Sequence, residues 1–176
     1  TDGPYRKKSQ QIDLGAIRKI FREREFRSTA FGYFGHMWEL YTFWAFVPVI
    51  LTSYVYQKEI LDMNISIWSF WIIGLGGLAC VMAGLLSFAH GAKKIAVIAL
   101  ASSGVCCLLL PFTMAFSLPA FLTFLIFWGL VVIADSPLFS TLVAQNAAPE
   151  IKGTALTLVN SIGFAITIIS IQLIGW

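Results

Sequence analysis

Five apolar stretches, each long enough for one helical crossing of a bilayer, occupy most of this chain and limit its fold more than any other feature. A hydrocarbon core of about 30 Å takes about 20 residues at the helical rise. Runs of that length extend from Thr29 to Tyr54, Ile65 to Phe88, Ile95 to Phe116, Leu118 to Val143 and Thr154 to Trp176. The polar breaks between them are short: YQKEILDMN, AHGAKK, SLP and AQNAAPEIKG. The pattern predicts an all-α polytopic membrane protein, with a transmembrane bundle over 29–176 after a linker over 1–28. Composition agrees, since 58% of the residues are hydrophobic and only 12% charged.

Charge placement predicts orientation. Eight of the twelve Lys and Arg lie between Arg6 and Arg27, ahead of the first apolar run. With that segment inside, Lys93, Lys94 and Lys152 also fall inside and only Lys58 outside, which is the asymmetry expected of cytoplasmic loops. The same basic segment meets anionic lipid, not nucleic acid. Within it, IDLGAIRKIFREREFR sets Ile12, Ala16, Ile17, Ile20 and Phe21 near one face and cations near the other, which predicts an amphipathic helix along the inner surface. The other reading of this stretch is a solvated linker. Cys80, Cys106 and Cys107 lie inside apolar runs, a spacing that suits neither a disulfide framework nor a zinc site. No cleavable signal peptide is evident at the start, TDGPYRKKSQQ, and an odd number of spans ends at Trp176 with no tail. The expectation is a piece of a longer protein, cut before at least one further helix.

Two carboxylates fall near the middle of spans, where each charge costs about 2.5 to 3.5 kcal/mol on insertion scales. Glu39 lies ten residues beyond Thr29, roughly 15 Å from the inner end, and Asp135 lies nine residues before Ala144, roughly 14 Å from the same side. His36 and Glu39 are three apart on one helical face, so a hydrogen bond between them is feasible. Asp135 also precedes Pro137, whose ring breaks the helical ladder, and Asp135 and Ser136 offer side chains to the freed backbone. Pro48 in the first span is either a hinge or a tolerated bend. In the last span Thr157, Asn160, Thr167 and Ser170 form a polar stripe, with Asn160 the member placed to meet solute. Gly76, Cys80 and Gly84 form a small-residue face for close packing, and His90 reads as a loop residue.

Several stretches resemble the C-terminal half of a major facilitator superfamily transporter, beginning in its central loop. In AGLLSFAHGAKKIA, Gly84, Gly91, Lys93 and Lys94 match the family's cytoplasmic loop between the second and third helices of a half, with Phe88 and Ala89 departing from its charged positions. PEIKGTALTLVNSIG resembles the start of the family's eleventh helix, through Pro149, Lys152 and Gly153. GYFGHMWELYTFWAF and ADSPLFSTLVA look like a bacterial subgroup of the same family. The resemblance implies that the five spans are helices seven to eleven of a six-helix half, in a bacterial inner membrane. Their partners would be the lipid, a small-molecule solute, and the missing N-terminal half and final helix. It also implies that the first and fourth spans line a central cavity, so that Glu39 and Asp135 point into the bundle.

Three roles compete for these residues. A carboxylate among Trp38, Phe43 and Trp44 can load and release a proton. His36, Glu39, Tyr41 and Trp44 can bind a polar or cationic solute, the rings offering cation–π contacts. His36, Glu39 and Asp135 can ligate a metal, which is the weakest of the three because nothing else in the membrane suggests coordination. Against all three stands a purely structural hydrogen-bonded network. With no phosphate-binding glycine loop, transport would draw on an ion or proton gradient or be facilitated diffusion, with no enzymatic activity and no cofactor expected. A membrane enzyme using His36, Glu39 and Asp135, and a receptor or scaffold, are the alternatives.

Overall fold

A computed structural model describes residues 20–175, and every described element is helical. The chain forms α1 (Arg24–Gln57), α2 (Ile65–Gly74), α3 (Gly76–His90), α4 (Ala92–Thr113), α5 (Leu118–Ala134), α6 (Ser136–Asn146) and α7 (Lys152–Ile174). The expected amphipathic helix lies largely outside the described residues. Its last part overlaps the start of α1 at Arg24, where Phe26 is fully buried and Arg24, Glu25 and Arg27 are exposed.

Four segments are long and apolar enough to cross a membrane: Ile65–His90, Ala92–Thr113, Leu118–Asn146 and Lys152–Ile174. The first and third are α2 with α3 and α5 with α6, each pair turning at one residue, Leu75 or Asp135. The helix α1 is long, at 34 residues, but its polar residues keep it from being so apolar. They lie inward. Buried positions recur at steps of three and four through Phe26, Thr29, Tyr33, His36, Leu40, Phe43, Val47, Leu51 and Tyr54.

Local chemistry sets the ends. Asn64 caps α2 by accepting the Ile67 N–H at 3.0 Å. Pro119 stands in the first turn of α5, where a missing N–H leaves no helical bond unmade. The break AHGAKK contracts to Gly91, whose φ of +85° is a conformation that glycine adopts without strain. His90 consequently ends α3 and is not in a loop.

The helix α1 packs against α7 and α6 and also meets α2 and α5, while α5 carries α3 and α4 on its other side. Two apolar cores result. One joins Phe26, Ala30, Tyr33 and Met37 of α1 to Leu138, Phe139 and Leu142 of α6 and to Ala155 and Val159 of α7. The other joins Leu40, Phe43, Val47, Leu51 and Tyr54 of α1 to Ile72, Phe121, Leu125 and Trp128. Tyr54 stacks on Phe121 with centroids 3.9 Å apart, and its hydroxyl donates to the Phe116 carbonyl at 2.7 Å.

Association in lipid rests on van der Waals fit, so small residues matter. A Cβ on Gly129 would run into the Ile72 carbonyl, and one on Gly76 would lie 2.5 Å from Ile133 Cγ2. The expected small-residue face is therefore tight at Gly76, and Cys80 reaches the Ile133 carbonyl, but Gly84 has open space around it while its neighbour Ala83 is buried. Outward, α2 to α4 present Phe70, Leu78, Phe88, Leu108 and Phe112, an apolar surface suited to lipid.

Candidate functional site

Between the two cores lies a polar layer built on the middle of α1. His36 is 2% exposed and Asp135 1%, and His36 Nδ1 lies 2.8 Å from Asp135 Oδ1. The other ring nitrogen, Nε2, is 2.8 Å from Ser136 Oγ. Phe139 and Tyr33 flank the imidazole with centroids 5.8 and 6.2 Å away. The His36–Asp135 contact has ion-pair distance but not hydrogen-bond alignment, so neither Asp135 oxygen has a hydrogen-bond donor among the described residues. A carboxylate so enclosed needs a counter-charge or a proton.

Asp135 sits at the turn between α5 and α6, where its carbonyl accepts from Leu138 N at 3.0 Å and Phe139 N at 2.9 Å. The expectation that the Asp135 and Ser136 side chains serve the backbone freed by Pro137 does not hold. The Asp135 side chain makes no cap bond, and Ser136 turns to His36. On the opposite flank the Cys80 thiol donates to the Ile133 carbonyl at 3.2 Å. That carbonyl is four residues before Pro137 and so lacks its helical donor.

Glu39 engages a different set of helices. Ser103 Oγ of α4 donates to Glu39 Oε1 at 2.6 Å, and Trp128 Nε1 of α5 donates to Ser103 Oγ at 3.0 Å. The feasible His36–Glu39 hydrogen bond is not made, because each partner reaches a separate helix. Glu39 itself is only partly buried.

Tyr41 and Trp44 pair with each other, centroids 5.3 Å apart, and Tyr41 meets Phe164 of α7 at 5.6 Å. Among the described residues neither makes a hydrogen bond, and both pack against the core that holds Phe43 and Trp128. Asn160 accepts from the Tyr33 hydroxyl at 2.6 Å, and Thr42 donates to Ser170 at 2.9 Å. The polar stripe of the last span thus divides: Asn160 and Ser170 tie α7 to α1, Thr167 bonds its own backbone, and Thr157 is exposed. Gly163 lets these helices close, since a Cβ there would lie 2.9 Å from Tyr33 and 3.0 Å from Met37.

His36 and Asp135 meet while Glu39 bonds to Ser103, and among the described residues no three of His, Cys, Asp and Glu are placed to hold a metal ion. Ser103, Trp128 and Tyr33 were not singled out from the sequence, and Ser136 was, but for the backbone beside Pro137 and not for His36. The available signal was a hydroxyl or indole N–H inside an apolar run, a group that must find a partner when buried. Outside the membrane layer, Lys93 Nζ at the start of α4 donates to Glu25 Oε2 at 2.8 Å. That bond and the ammonium charge hold the Glu25 carboxyl below the usual carboxylate range.

No curated protein matches the chain, and no solved structure does. A family model described as Major Facilitator Superfamily matches residues 2–171. An all-helical bundle with several membrane-length apolar helices and a polar layer inside it is the architecture such a match demands, and this chain belongs to the major facilitator superfamily of transporters.

Proposed function

We propose that this protein moves a small polar or cationic solute by alternating access, driven by a proton gradient, with the polar layer on α1 as its coupling site. The observation that carries the proposal is that layer: two carboxylates and a histidine between two apolar cores in a membrane bundle. Groups so placed are costly, and proton relays are among the uses that retain them. Exposure divides the labour. Glu39, Tyr41, Trp44 and Asn160 are only partly buried and remain within reach of solute or water, whereas His36 and Asp135 are enclosed and act on the proton or on helix position.

In this proposal α1 also spans the bilayer, giving five crossings that correspond to helices seven to eleven of the family fold. Residues 1–28 lie on the cytoplasmic side of a bacterial plasma membrane, where cations are favoured. The solute pathway lies between this bundle and the other half of the transporter, as in repeat-built carriers generally. A packing role is supported at one position, Asn160, because its carbonyl is already taken by Tyr33.

The test is a thermal-shift screen of the full-length protein in detergent against a solute library, in wild type and Glu39→Gln, at acidic and neutral pH. A ligand at 100 times its dissociation constant stabilises the folded state by about 2.7 kcal/mol. A solute whose shift depends on pH in wild type and loses that dependence in Glu39→Gln is the expected result. Equal, pH-independent shifts in both proteins would remove Glu39 from coupling.

A further inference from the structure

The hydrogen bonds around Glu39 have a fixed direction. An indole N–H can only donate, so the bond from Trp128 Nε1 to Ser103 Oγ makes the serine oxygen an acceptor. The hydroxyl proton of Ser103 is donated to Glu39 Oε1, 2.6 Å away. Ser103 is 1% exposed and Trp128 4%, so water does not compete for either partner. Trp128 is itself held by Phe43, centroids 4.7 Å apart, and by Phe124 at 6.0 Å. In the ionised acid Oε1 is therefore the engaged acceptor, while Oε2 makes no hydrogen bond among the described residues.

We infer that Ser103, oriented by Trp128, is a positioning residue that holds Glu39 Oε1 as an acceptor and directs the transported proton to Oε2. The inference rests on the proton-coupled reading of Glu39. A hydrogen bond to a carboxylate is stronger than the same bond to a neutral acid, so removing the serine changes the pH at which the proton is released. Other titratable groups also face this site: His36 from α1, Asp135 from the α5–α6 turn, and Cys106 and Cys107 from α4. The helix α2 contributes no titratable group, and the one in α7, Lys152, stands at that helix's first residue. All of these groups are unchanged by substitution at Ser103, so a shift produced there is the serine's own.

The experiment is an infrared pH titration of the full-length protein in lipid nanodiscs, following the protonated-carboxyl band that Glu39→Gln abolishes. Loss of one charge-assisted bond in Ser103→Ala is expected to move the midpoint of that band upward by about one pH unit. Ser103→Thr, which keeps the hydroxyl, is expected to restore it. Thermal unfolding of each variant checks that the fold survives, and a merely structural serine would lower stability without moving the midpoint. An unmoved midpoint in folded Ser103→Ala overturns the role of Ser103 and leaves Glu39 as the proton site. Absence of any band sensitive to Glu39→Gln overturns both.

Discussion

Asp135 is a carboxyl at 1% exposure whose ion-pair contact among the described residues is His36. Removing one member of a buried pair leaves the other uncompensated, typically at 3–5 kcal/mol. His36→Ala should therefore lower the unfolding midpoint in detergent sharply, and adding Asp135→Asn should recover much of the loss. A double-mutant cycle measures this, and additive losses would mean that the two residues do not act as a pair. The position of Asp135 inside an apolar run was legible in the sequence, because a charge there needs a reason. Its partner was not. Residues three apart on a helix differ by about 60° around the axis, so sharing a face with Glu39 does not decide which neighbouring helix His36 meets. Ser103 and Trp128 escaped notice for the same reason, since their meeting depends on the rotation of three helices at once.

Helices were legible where hydropathy ran unbroken, and less so where they end. AHGAKK looks like a polar loop, but Ala and Lys are good helix formers, and only Gly91, at φ +85°, interrupts the backbone. Turns inside the spans were harder still. Pro137 announced the one at Asp135, while the one at Leu75 has no proline and coincides with close packing of Gly76 on Ile133. The N-terminal ends of α1 and α4 are tied by Glu25 and Lys93, which are 63% and 65% exposed. Such a pair is screened by solvent and contributes little. The Glu25 carboxyl is held below its ordinary value of 4.5, so what the pair adds is present above that pH and is lost as pH falls through the lowered value. The difference in unfolding midpoint between wild type and Glu25→Gln should accordingly be small near neutrality and vanish in acid. A difference that grows in acid would assign Glu25 another partner.

At the scale of the whole molecule, α1 organises the bundle. It is the helix with the most polar interior face, it divides the packing into two cores, and it meets α5, α6 and α7 through separate hydrogen bonds or ion pairs. Membership of the superfamily and the helical bundle were both foreshadowed by the spacing of apolar runs and basic loops. The division between an enclosed His36–Asp135 pair and a reachable Glu39 needed the three-dimensional structure.

The most direct measurement uses the full-length protein in liposomes that trap a pH-sensitive dye, with a solute identified by thermal shift added outside. Coupling through Glu39 predicts solute-dependent proton movement in wild type, with solute binding but no proton movement in Glu39→Gln. Proton movement at wild-type rate in that variant would contradict it.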